Sequence, residues 1–213
     1  MLPAIAFTGF HNAGKTTLVR RVVTTLRARG YRIGVVKSTK ERDLVQEPPG
    51  KDTALYRGDG VEDVVLLEPG RAVCFREDAP SLEAVVFDLL GRCHLVVCEG
   101  FKGSSLPKIE VVADSSALSR LGERKNLLAV VWREPVEGFR TFGPHQIEEL
   151  ADFIEETFLG EGWAALWVNG RPVAMKPFVE RTVATTVAAL VGNLKGGEGA
   201  RTVELKIRLP GEG

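Results

Sequence analysis

Apolar positions fall in short bursts separated by segments whose apolar residues recur at helical spacing, and this rhythm runs from the first residues to about Leu159. It predicts strands joined by crossover helices around a mostly parallel sheet. Residues 4–8 form the first burst. After a glycine-bearing loop, Leu18, Val19, Val22, Val23 and Leu26 share one helical face until Gly30 ends the pattern. Residues 32–38 read as the next strand, and residues 39–51 as a long mobile loop, polar and broken by Pro48, Pro49 and Gly50. Further strands are expected at 64–67, 72–75, 95–98, 109–112 and 127–132, with a helix over 80–90. Ile147, Leu150, Ala151, Ile154 and Phe158 mark an amphipathic helix that closes the α/β part near Gly160.

The pattern then changes character, which divides the chain into residues 1–160 and an extension over 161–213. Two strand-like runs flank Asn169-Gly170, a pair suited to a two-residue hairpin turn. Val179, Val183, Val187, Leu190 and Val191 follow on one helical face, and residues 202–209 alternate like a strand. The extension is expected to be a β-β-α-β unit serving packing or self-association.

Charge narrows the partners. Lysine plus arginine is 28 and aspartate plus glutamate is 28, so no global field draws nucleic acid or an anionic membrane. Cys74, Cys93 and Cys98 have no C-x-x-C spacing, cannot all pair with one another, and are expected in the core. No stretch approaches the roughly 20 apolar residues of a membrane span, and the start lacks a signal-peptide pattern. A soluble protein of the cytoplasm is the expectation.

Gly9 to Thr16 reads G-F-H-N-A-G-K-T, which fits the phosphate-loop pattern G-x-x-x-x-G-K-[ST] between a strand and a helix. Glycines let successive amides converge on phosphate oxygens, and the helix N-terminus adds roughly half a positive charge. The expected nucleotide-binding set is Gly9, His11, Asn12, Ala13, Gly14, Lys15, Thr16 and Thr17. Lys15 would neutralise the β and γ phosphates, Thr16 would offer its hydroxyl to Mg²⁺, and Thr17 would reach a phosphate oxygen. His11 is read as a loop side chain and not as a base.

Such a loop works with an acid at the end of another strand. Glu99 follows the apolar run 95–98 and precedes Gly100, and it either serves the metal or pairs with Lys102. Asp43 and Asp52 are further acids of the loop after the second strand, either metal ligands or solvated. Beyond nucleotide binding, these residues also leave open a small-molecule kinase with Arg42 in its lid and a nucleotide-switched interaction module.

The chain also resembles the molybdopterin-guanine dinucleotide biosynthesis protein B family (MobB). The resemblance rests on G-F-H-N-A-G-K-T-T at 9–17, V-V-K-S-T at 35–39, P-G-K-D-T at 49–53, C-E-G-F-K at 98–102 and P-K-I-E-V at 107–111. It implies a P-loop NTPase fold, a GTP-binding protein with weak Mg²⁺-dependent GTPase activity, and often a homodimer. It also implies a role in attaching GMP to molybdopterin together with the guanylyltransferase. By position, Lys15 and Glu99 would be catalytic, Thr16, Glu99 and Asp43 would serve the metal, and Lys51 and Asp52 would face the substrate. Three departures stand out. Lys40, Glu41, Arg42 and Asp43 replace a histidine pair and acid often carried by relatives, Trp132-Arg133-Glu134 replaces a Thr-Asp often seen after the strand expected from residue 127, and no N-K-x-D guanine-reading motif occurs.

Overall fold

A computed structural model describes residues 2–41, 55–56, 58–76, 80–160, 162–169, 171–173, 175–200, 202–205 and 207. Ten strands are described: β1 (Ala4–Gly9), β2 (Ile33–Lys37), β3 (Asp63–Glu68), β4 (Arg71–Arg76), β5 (Leu95–Glu99), β6 (Lys108–Val111), β7 (Leu127–Val131), β8 (Thr141–Phe142), β9 (Leu166–Val168) and β10 (Arg171–Val173). The helices are α1 (Lys15–Ala28), α2 (Leu82–Leu90), α3 (Ile147–Phe158) and α4 (Pro177–Gly192), with a 3₁₀ segment at Ser115–Glu123.

Contacts divide the chain into two units, Met1–Ser38 with Glu83–Gly213, and Thr39–Leu82. The larger unit contains a six-stranded sheet in the order β2-β5-β1-β6-β7-β8, and every pairing in it is parallel. The α/β expectation therefore holds. Strand β1 lies in the middle of that sheet, buried over its whole length, so the loop that leaves its C-terminal end emerges where neighbouring strands also end. Ligands of open parallel sheets sit at that edge.

Alternation along the strands divides the side chains between two faces. Ile5, Phe7, Leu95, Val97, Ile109 and Val131 join Val22 and Leu26 of α1 and Leu150 and Ile154 of α3 in one buried cluster. Helix α1 forms because its apolar residues recur three and four apart, and it ends where Gly30 adopts φ +92°. Arg29 ties α1 to α3, reaching Glu148 and Asp152 at 2.7 Å and Glu155 at 2.8 Å. Val112, Ala117, Leu121, Val130 and Trp132 form a second cluster, with Phe10 packed against it.

In the smaller unit, β3 and β4 pair antiparallel with each other as a separate two-stranded sheet, Asp63 opposite Arg76. Both had been legible as strands, but Gly70 at φ +79° lets the chain reverse directly into a hairpin.

The extension contains the expected hairpin, with Trp167 opposite Pro172 and Asn169 at φ +51°; Gly170 lies outside the described residues. Trp167 stacks on Phe87 of α2 with ring centroids 3.8 Å apart. Helix α4 buries no residue fully, and Leu190, expected on its apolar face, is exposed. Residues 202–205 carry no strand, and residues 206, 208 and 209 of the strand expected over 202–209 lie outside the described residues, so the described part of the extension is β-β-α. Cys98 is buried, Cys93 is half-buried and Cys74 is exposed on the β3–β4 hairpin, which corrects the expectation of three core cysteines. Among the described residues no helix is long and apolar enough to cross a membrane.

Candidate functional site

The loop after β1 is shaped by backbone requirements that only certain residues meet. Gly9 adopts φ +150°, and a Cβ there would stand 2.3 Å from the carbonyl oxygen of Val111 on β6. Only glycine lets β1 and β6 come that close at this point. Asn12 at φ +61° and Gly14 at φ +79° then turn the chain twice through left-handed geometry. Gly14 is the N-cap of α1 and offers no side chain to its first amides, and the first turn contains no acid. Those amides therefore remain available to an anion. Lys15 is half-buried beneath the loop, its Nζ donating to the carbonyl of Phe10 at 2.5 Å. His11, Asn12, Thr16 and Thr17 are exposed along the loop and Ala13 is half-buried.

Glu99 ends β5, which adjoins β1 directly, with Phe7 opposite Glu99. The residue is almost fully buried, 8% exposed, yet its carboxylate has polar partners. The Thr16 hydroxyl donates to Glu99 Oε1 at 2.6 Å, and Lys37 Nζ at the end of β2 lies 3.3 Å from the same oxygen. Of the two roles open to Glu99 in the sequence, pairing with Lys102 is not what the structure records. Gly100, at φ +102°, turns the chain away immediately afterwards, and a Cβ there would sit 3.0 Å from Ser38 Cβ. Thr16 and Glu99 supply two hard oxygens side by side, the donor type that Mg²⁺ takes together with phosphate oxygens. Asp43, Lys51 and Asp52 lie outside the described residues. No group of three or more His, Cys, Asp or Glu that could hold a metal occurs among the described residues.

A groove of about 600 Å³ begins at Thr17 and runs between α1 and α3, lined among others by Arg21, Thr24, His145 and Glu148. Thr17 is the one residue of the expected nucleotide-binding set that lines it.

Sequence reasoning assigned no role to the residues on β6 and the loop before it. Lys108 and Glu110 are 1% and 2% exposed, side by side on one face of an interior strand. Lys108 Nζ donates to the carbonyls of Ser104 at 2.5 Å and Leu106 at 2.9 Å. Glu110 accepts from the hydroxyl of Thr8, the residue before Gly9, and its Oε2 lies 3.5 Å from Arg124 Nε. Burial, then the Arg124 charge, pulls the Lys108 ammonium below its ordinary pKa. Two charges spaced two apart in a short apolar run were the available signal, since a buried charge requires partners.

The comparisons with known proteins agree with this geometry. Residues 4–133 match the family model described as "MobB: Molybdopterin guanine dinucleotide synthesis protein B". The Escherichia coli molybdopterin-guanine dinucleotide biosynthesis adapter protein is 28% identical over 73% of this chain and 93% of its own length. A putative adapter protein of the same kind from Methanocaldococcus jannaschii is 25% identical over 95% of this chain and 96% of its own, so its alignment extends into the region after Gly160. Among solved structures, a crystal structure of molybdopterin-guanine biosynthesis protein B is 28% identical, with a TM-score of 0.58 over 73% of this chain and 99% of that one. A Bacillus subtilis MobB structure, 21% identical with a TM-score of 0.59 over 75% of this chain and 99% of its own, shares the fold.

Proposed function

The chain belongs to the molybdopterin guanine dinucleotide synthesis protein B family, with a role in molybdenum cofactor biosynthesis, and from that premise we propose that it is a GTP-binding accessory protein. In this reading it assists the guanylyltransferase that attaches GMP to molybdopterin, works in the cytoplasm as a homodimer, and hydrolyses GTP weakly. The observation that carries the proposal is the loop from Gly9 to Thr16 with Glu99 held against the Thr16 hydroxyl. A loop of amides, a lysine and a hydroxyl–carboxylate pair at the ends of adjacent parallel strands is what a Mg²⁺-bound triphosphate requires.

Each residue has a derivable part. The loop amides and the α1 N-terminus hold the phosphate oxygens by hydrogen bonds aimed before the ligand arrives. Lys15 can exchange its contact with the Phe10 carbonyl for the β and γ phosphates, replacing a neutral acceptor by a charged one. Thr16 and Glu99 would hold Mg²⁺, which when bound neutralises charge on the phosphates. Lys37, beside Glu99, holds that carboxylate in place at the end of β5. His11 and Asn12, exposed on the loop, lie where they can border the nucleotide. The kinase alternative relied on Arg42, which lies outside the described residues, and no observation favours it over the accessory role. Residues 1–160 and 161–213 are proposed as nucleotide-binding part and extension.

The test is calorimetry with Mg-GTP and Mg-ATP on the wild type and Lys15→Ala. Tight binding of GTP that falls at least about 100-fold in the variant supports the assignment, the loss expected for a desolvated ammonium–phosphate contact. Unchanged affinity in Lys15→Ala would remove its basis.

A further inference from the structure

The nucleotide reading leaves a group of charged residues beside the phosphate loop without a task. Phe10, the first residue after Gly9, packs toward the cluster of Val112, Leu121 and Trp132, whereas Glu99 follows the alternation of Leu95 and Val97 toward α1. Lys102 Nζ stands 4.3 Å from the Phe10 ring centroid, and the Arg120 guanidinium 5.9 Å from it. Arg124 adds a third cation, its Nε buried with no hydrogen-bond partner and 3.5 Å from Glu110. Glu110 is the carboxylate set against them, and it already accepts from Thr8.

The placement of Lys102 is built. Gly100 and Phe101 both adopt positive φ, +102° and +55°, which swings the chain outward directly after Glu99. The buried Lys108 ammonium then clamps the carbonyls of Ser104 and Leu106 and fixes the loop's return. Left-handed geometry at a phenylalanine is costly and persists only where surrounding structure enforces it. Burial, opposed by the Glu110 charge and assisted by Arg124, Lys15 and Arg120, holds the Lys102 ammonium below its ordinary pKa, so these four cations share one electrostatic neighbourhood. Cations gathered against one aromatic ring with a single committed carboxylate favour an added anion.

We propose that Lys102 and Arg120, both held against the Phe10 ring, form a second anion subsite that takes a phosphate dianion next to the nucleotide and separate from the triphosphate held by Lys15. The subsite deepens the nucleotide reading and rests on it, because it supplies the place for a phosphorylated second molecule. The dianion is either a monoester or free phosphate, and the probes separate the two.

The experiment saturates the full chain with a Mg²⁺-bound, non-hydrolysable GTP analogue and titrates it with phenyl phosphate and with inorganic phosphate in parallel. Binding of either probe to the saturated wild type, weakened about tenfold in Lys102→Ala and in Arg120→Ala while analogue affinity stays within about twofold, is the expected result. Both side chains are exposed, so neither substitution threatens folding. The tighter probe identifies the source of the dianion. If neither phosphate binds, or if both substitutions weaken the analogue as much as the probe, the cations belong to the nucleotide and the subsite is refuted. Failure of the wild type to take the analogue overturns the nucleotide reading instead, and the phosphates are then titrated onto Lys15→Ala, where loss on adding Lys102→Ala still reports the subsite.

Discussion

Replacing Gly9 by alanine tests whether the loop's backbone, and not only its lysine, is required. The new Cβ would lie 2.3 Å from the Val111 carbonyl and must retreat about 0.7 Å merely to reach 3.0 Å, the shortest separation real Cβ atoms show. That retreat pulls against the β1–β6 ladder, where Gly9 sits opposite Val111 in the middle of the sheet. Overpacking of this kind costs about 1–3 kcal/mol, and the φ of +150° a further 1–3 kcal/mol for any residue with a side chain. The sum is about 2–6 kcal/mol. Gly14→Ala is the internal control, since its φ of +79° is left-handed but a Cβ there meets nothing within 4 Å. It should cost only the left-handed term, about 1–2 kcal/mol. Urea unfolding followed by circular dichroism reads both as shifts in midpoint at constant slope. Equal destabilisation by the two substitutions would show that the Val111 contact relaxes freely and that the argument from close approach is wrong.

Other outcomes follow from the same structure. Thr16→Val, which removes the hydroxyl 2.6 Å from Glu99, should weaken Mg-GTP binding about tenfold or more while leaving metal-free nucleotide affinity nearly unchanged, as calorimetry with and without Mg²⁺ would show. Lys108→Met strips the carbonyls of Ser104 and Leu106 of their donor and should destabilise by about 2–4 kcal/mol in urea unfolding; a loss under about 1 kcal/mol would mean that the loop rearranges around it. The Tyr31 hydroxyl, then Arg29, hold the Glu155 carboxyl below the usual carboxylate range, so its contribution is present above the unfolded pKa and is lost as pH falls through the lower folded value. Tyr31→Phe should therefore flatten the acid limb of a stability–pH profile, and an unaltered limb would exclude that linkage. Burial pushes the Cys98 thiol up to about 12, whereas Cys74 is exposed, so a thiol reagent at pH 8 should label Cys74 in the native protein and Cys98 only after unfolding.

How far the sequence reached depended on whether the controlling interaction was local. The phosphate loop was legible because strand, glycine turn and helix follow one another within one short segment, and each step has its own residue signature. Glu99 was legible because a carboxylate after a buried run must emerge at a strand end. The pairing of β3 with β4 was not, since an apolar run of that length suits a central parallel strand equally well, and only its neighbour decides.

The charged side of β6 failed to be read for a different reason, and that reason bears on function. Lys108 and Glu110 look like ordinary polar alternation, as if one face of the strand met water. Both charges are instead 1% and 2% exposed, so their face of the sheet is covered, and they are satisfied by the carbonyls of Ser104 and Leu106, by Thr8 and by Arg124. A protein needing only stability would gain from apolar residues there. Glu110 ties β6 to Thr8, one residue before Gly9, and its charge also acts on the Lys102 ammonium, so the two anion-binding places share that carboxylate. Anion binding at Phe10 and nucleotide binding at Lys15 are therefore expected to be coupled, each altering the other's affinity by the same factor.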